Sequence, residues 1–222
     1  MSEIGEITPE RIAAAEPLAN QCLEIASQVL NSSDWKESKT EDGVKYYTRS
    51  VPGSSFTMIK SSVVVPRPLD KMVQFCARFR EVTSETPANL RGGAIERRFW
   101  PFPGTNEHNE GFIYLALESG SMFVSNRDFV MIRKYYEKDG RHYYICVSID
   151  DDKIRPPSKN LVRGKILCNA TVIEAEGDGT RVSFIAHADP AGSIPAAIYN
   201  MASLKQGACV RAIRDDALKE IN

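Results

Sequence analysis

Between residues 94 and 188 the chain is a succession of short apolar segments closed by turn residues, and past Pro190 and Pro195 it changes to one uninterrupted helical stretch, 196–221. Few architectures accommodate that order. Strands are expected at 94–102, 111–118, 129–136, 142–149, 162–172 and 181–188, punctuated by Asp139-Gly140, by Gly177-Asp178-Gly179 and by the loop 150–159 with Pro156-Pro157. Links this short leave no room for parallel crossovers, so the segments belong to one antiparallel sheet. A sheet that large must curl or be covered.

Upstream, Thr8-Pro9 reads as a helix cap and first position for an Ala- and Leu-rich helix reaching about residue 30. Asp42-Gly43 marks a hairpin between 35–40 and 44–50, and a β-branched run at 56–65 adds a third strand ended by Pro66. Residues 69–79 place Met72, Val73, Phe75, Cys76 and Phe79 at helical spacing. The class is therefore α+β, with about nine strands, and the terminal helix is the element available to cover the sheet. Its stripe Ile194, Ile198, Met201, Leu204 and Ala208 is flanked by small residues, Ala197, Ala202 and Gly207. Those fit either close packing on the sheet or space left for a ligand. No linker, repeat or low-complexity tract divides the 222 residues, which are read as one domain, with the N-terminal helix within 1–31 and the covering helix within 193–222.

The balance of 28 Lys+Arg against 29 Asp+Glu, a net charge of −1, argues against a broad nucleic-acid footprint. No apolar run approaches the roughly 20 residues of a membrane-spanning helix, and the acidic start lacks the pattern of a secretory signal. Five scattered cysteines without C-x-x-C spacing read as reduced thiols. A cytoplasmic protein is expected. No nucleophile elbow, phosphate-cradling loop or dinucleotide fingerprint occurs, and His108, His142 and His187 have no metal-ligand spacing. The run Asp150-Asp151-Asp152 lacks the companions of a calcium loop and is read as a solvated turn. No catalytic residue, metal or cofactor is assigned. Trp100-Pro101-Phe102-Pro103 is either a membrane-facing tip or a strand end packed on the rim.

Three segments, in order, resemble the START family of lipid-transfer domains: Ser125-Asn126-Arg127-Asp128-Phe129-Val130-Met131-Ile132-Arg133, then Val162-Arg163-Gly164, then Asp189-Pro190-Ala191-Gly192-Ser193-Ile194-Pro195. The resemblance implies a helix-grip fold, a cavity for one lipid and a lid made of the terminal helix and the loop 119–124, whose Met122 and Phe123 would touch a membrane surface. It implies a monomer that carries a sterol, ceramide, phospholipid or fatty acid between membranes, with a lipid-sensing module acting through a protein partner as the alternative. An enzyme of the same superfamily would need Glu118 with Tyr114 or His187 as its acid–base set.

Strand alternation gives the expected lining. Phe129, Met131 and Arg133 share one face of their strand, and Phe112, Tyr114, Ala116 and Glu118 one face of the strand before it. Leu167, Ile198 and Met201 complete the expected lipid contacts, and Arg127-Asp128 is read as a loop anchor. In sterol-binding relatives an acid pairs with the arginine that aligns with Arg133, and here Tyr114 stands in its place. Of the aromatic positions that cage choline in phosphatidylcholine-carrying relatives, only Phe129 remains; the others are Ala116 and Leu167. The W-D pair of the family is replaced by Leu90-Arg91-Gly92-Gly93.

Overall fold

Thr8 caps the first helix, α1 (Pro9–Val29), its side chain accepting from the Arg11 amide, with Pro9 at the position where a missing N–H costs nothing. The described residues of the computed structural model are 7–78, 94–104, 106–119 and 124–221. Two strands, β1 (Lys36–Glu41) and β2 (Val44–Arg49), form the hairpin at Asp42-Gly43, and β3 (Met58–Val65) and α2 (Leu69–Arg78) follow. The later strands are β4 (Ala94–Pro101), β5 (Gly111–Leu117), β6 (Asn126–Lys138), β7 (Arg141–Ser148), β8 (Leu161–Arg163), β9 (Lys165–Glu176) and β10 (Gly179–Asp189). The chain closes with α3 (Ala196–Ser203), a 3-10 stretch (Leu204–Ala208) and α4 (Cys209–Glu220).

Nine strands run in the order β1-β2-β3-β10-β9-β7-β6-β5-β4, all antiparallel, so the N-terminal hairpin joins the sheet through β3 beside the last strand. Both Asp-Gly turns adopt positive φ at both residues, 51° and 73° at Asp42-Gly43 and 52° and 71° at Asp139-Gly140. That is the turn whose twist matches the twist of the flanking strands. The expected strand at 162–172 is two strands separated by Gly164, and the short β8 pairs in parallel with the start of β6. This pairing departs from the all-antiparallel expectation. The loop before β8 is long enough to bring it back alongside β6.

The two sheet faces carry different loads. α1 lays Ala15, Ala19, Cys22 and Ala26, a stripe at helical spacing, on the outer face, where Phe112, Tyr114, Val130, Ile132, Ile145 and Ala170 are buried beneath it. On the inner face α2 and α4 pack one end, burying Met72, Phe75, Val210 and Ile213 against Tyr46, Ile59, Val63 and Val182. The rest of the inner face is bridged but not filled. Among the described residues no helix is long and apolar enough to cross a membrane. The loop residues Met122 and Phe123, the Leu90-Arg91-Gly92-Gly93 segment and the end of the second expected helix, Phe79, lie outside the described residues.

Candidate functional site

Three stretches of backbone meet at one end of the sheet. Arg127, at the start of β6, donates to the carbonyls of Pro190 (3.2 Å), Ala191 (3.1 Å) and Ser125, and so ties the strand to the turn that leads into α3. Its neighbour Asp128 is buried and receives two hydrogen bonds from Arg163 of β8, both 2.9 Å. Gly164 donates its amide to the Asp128 carbonyl at 3.0 Å, and an added Cβ there would lie 2.5 Å from the Phe129 ring. The three sequence segments quoted above are thus one hydrogen-bonded junction. It holds the covering helix over the sheet.

Beneath that helix lies a cavity of about 1020 Å³, at the top of the range usual for small-molecule sites, about 300–1,000 Å³. Ile113, Leu115 and Leu117 of β5, Phe129 and Met131 of β6, Ile166 of β9 and Phe184 of β10 form a mainly apolar floor. Ile194, Ile198, Tyr199, Ala202 and Cys209 form the roof. Polar groups are the minority of the lining and are spread out; they include Arg97, Arg127, Arg133, Asn169, Thr171, Lys205 and Gln206, with Glu118 and Ser119 at one rim.

Phe129, Met131, Arg133, Glu118 and Ile198 all line this cavity, as expected. Phe112, Tyr114 and Ala116 do not; they are buried in the outer-face core to which α1 also contributes. The correction follows from register. In an antiparallel pair, residues directly opposite share a face, and Leu115 is opposite Phe129 and Ile113 opposite Met131. The odd residues of β5 therefore line the cavity. Glu118 escapes the parity of Tyr114 because it lies past the last residue of β5. Leu167 is also displaced: a bulge between the pairs His187–Cys168 and Ala188–Ile166 leaves it without a partner, 40 % exposed, and passes its place to Ile166. Met201 points to solvent with 73 % exposure, whereas Ala202 faces the cavity. Arg97 and Phe99 on β4 were not anticipated. Nothing in the sequence marks their register against β5.

Among the described residues, Arg133 is held by two backbone carbonyls and one aromatic face. Its Nε donates to the Asn109 carbonyl at 3.1 Å and Nη2 to the Cys76 carbonyl at 3.3 Å, with the guanidinium 4.7 Å from the Tyr144 ring centre. Burial lowers its pKa from the ordinary value. Burial also raises nearby thiols, Cys146 to about 11 and Cys76 to about 12, and the Tyr199 hydroxyl to about 12, so these groups are neutral at pH 7. Glu118, Tyr114 and His187 do not converge: Tyr114 is on the outer face under Arg155, and His187, its pKa lowered by burial, meets the Ser54 hydroxyl at 3.2 Å. The tip at Phe102 is packed edge-on against Phe112, ring centres 5.1 Å apart. Among the described residues no group of three His, Cys, Asp or Glu is placed to hold a metal.

The START domain profile matches residues 103–212. The uncharacterized protein PA1579 of Pseudomonas aeruginosa is 27 % identical over 190 residues, covering 82 % of this chain and 85 % of its own. Among solved structures, human STARD10 superposes with a TM-score of 0.70 at 18 % identity, over 90 % of this chain and 80 % of its own. Human StAR-related lipid transfer protein 5 gives 0.68 at 18 % identity, over 92 % and 98 %. A StAR-related lipid transfer protein fragment from Xanthomonas axonopodis gives 0.63 at 23 % identity, over 83 % and 98 %. With the profile match seated on this fold, and the junction built from its motif residues, the chain belongs to the START domain family.

Proposed function

We propose that this chain binds one lipid in the cavity under its terminal helix and carries it between membranes as a single-domain monomer, without covalent chemistry. The carrying observation is the cavity itself: about 1020 Å³, walled mainly by aliphatic and aromatic side chains. An apolar body moved from water into such a space gains about 0.8 kcal/mol per buried methylene. Polar side chains are the minority of its lining, which suits a site that orients one headgroup within an apolar wall. The proteins that share the fold include some named for lipid transfer.

Loading requires the roof to part from the floor. Ile198 and Met201, 55 % and 73 % exposed on α3, give the roof an apolar outer edge suited to brief contact with a bilayer surface while it opens. Such gating runs on microsecond to millisecond timescales. A transfer assay between donor and acceptor vesicles, run with a sterol, phosphatidylcholine, ceramide and a fatty acid, tests the reading. Accelerated transfer of at least one of the four, without nucleotide or metal, is expected. Transfer of none would end it.

A further inference from the structure

We infer that the lipid carries an anionic headgroup, a carboxylate or a phosphate on an apolar body, and that Arg133 receives it; this rests on the lipid-carrier reading above. The starting point is charge. Among the described residues lining the cavity, Arg97, Arg127, Arg133 and Lys205 are cations and Glu118 is the one carboxylate, exposed at the rim. Arg127 is committed to the junction carbonyls. Among the described residues, Arg133 is not committed to any anion.

Its surroundings explain why. Directly across from Arg133 on β5 is Gly111, and directly across on β7 is Cys146. Neither offers a carboxylate. Nor is there room for one at Gly111, where even a Cβ would lie 2.4 Å from the Trp100 carbonyl oxygen. Along its own strand the same-face neighbours are Met131 and Tyr135. Glu110, whose charge reaches Arg133, is drawn instead to the Tyr135 amide at 2.9 Å and to Lys134 at 3.4 Å. Among the described residues the guanidinium therefore meets two neutral carbonyls and an aromatic face, with no carboxylate in salt-bridge range.

A guanidinium has five N–H donors, and among the described residues two of these are used. A buried cation without a counter-ion is costly, and the partner that best matches its planar fork is a two-oxygen anion. A hydroxyl headgroup would fill a hydrogen bond and leave the charge uncompensated. Position agrees. Arg133 sits at the Gly111 end of β5 and Glu118 beyond the Leu117 end, about 20 Å apart at the usual rise per strand residue. A ligand with its anion at Arg133 would run its tail along Ile113, Leu115 and Leu117 toward the rim.

The test uses the full chain, stripped of lipid, and pairs of ligands with one body and different heads: oleate against oleyl alcohol, and dioleoylphosphatidate against dioleoylglycerol. Sodium acetate and inorganic phosphate serve as tail-free anions. At least one anionic lipid is expected to bind about 10- to 150-fold more tightly than its neutral partner. Which pair shows the preference identifies the head as carboxylate or phosphate. In Arg133→Gln that preference should fall to within about twofold, and Arg133→Lys should keep part of it. The wild-type comparison stands whether or not the variants fold. Equal affinity for both members of both pairs would overturn the inference and leave the carrier reading intact, as would an undiminished preference in folded Arg133→Gln. Displacement of oleate by acetate or phosphate at matched concentration would overturn it in favour of a free-anion site. Binding of none of the four lipids would remove the carrier reading and the inference with it.

Discussion

Asp128 shows how much a single residue can fix. Its side chain is 1 % exposed and its two oxygens take both forks of Arg163, which is itself 21 % exposed. Removing one partner of a buried pair leaves the other charged and dry, at a cost of about 3–5 kcal/mol. Arg163→Ala should lower the unfolding free energy by about that much in a urea titration. The double variant Asp128→Leu/Arg163→Met should recover most of it, because the stranded charge is gone. A loss below about 1 kcal/mol in Arg163→Ala would show that the pair does not hold the junction. The anchoring role of Arg127-Asp128 was readable from the sequence, since an ionised dipeptide at the start of an apolar strand must find partners. The identity of those partners was not, because β8 and the turn at Pro190 are remote in the chain and meet only in three dimensions.

At the scale of elements, the hairpins were the most legible parts. Asp139-Gly140 sets Lys138 opposite Arg141, so the β6–β7 register could be counted outward from the turn. The link from β5 to β6 spans 118–125, too many residues for a two-residue hairpin to set the register, so no such count was available. A one-residue slip there exchanges the two faces, which is why Phe112, Tyr114 and Ala116 were expected in the cavity. The bulge at Leu167 has no Gly or Pro to announce it. On the terminal helix, neighbouring residues lie about 100° apart, and that step separates exposed Met201 from cavity-facing Ala202.

Gly207, in the 3-10 stretch between α3 and α4, settles the question its small neighbours left open. A Cβ there would lie 3.0 Å from the Tyr46 ring and 3.1 Å from Ser61, whose hydroxyl donates to the Gly207 carbonyl at 2.8 Å. At this point smallness serves close packing, whereas at Ala202 it leaves cavity space. Gly207→Val should therefore cost about 1–3 kcal/mol through overpacking, and Gly207→Ala less, its better helix propensity of about 1 kcal/mol offsetting part of the contact. Urea midpoints of the two variants check the order. A Val variant as stable as wild type would mean that the helix does not press on β2 and β3 there.

For the whole molecule, the order of helices and strands and the covering role of the last helix could be read from the chain because turn chemistry and apolar periodicity agreed along most of its length. The cavity could not. An enclosed space exists only where two packed layers fail to meet, here where α2 and α4 fill one end of the inner face and α3 bridges the rest. The proposed carrier role requires that a lipid reside in this space. Native mass spectrometry of the purified chain, before and after incubation with vesicles, tests it, with Leu115→Trp/Ala202→Trp as the comparison, since both residues face the cavity from floor and roof. One bound lipid per wild-type chain and little or none on the filled variant is expected, with the variant's ligand-free unfolding midpoint close to wild type. A folded variant that retains lipid as fully as wild type would place the ligand elsewhere and contradict it.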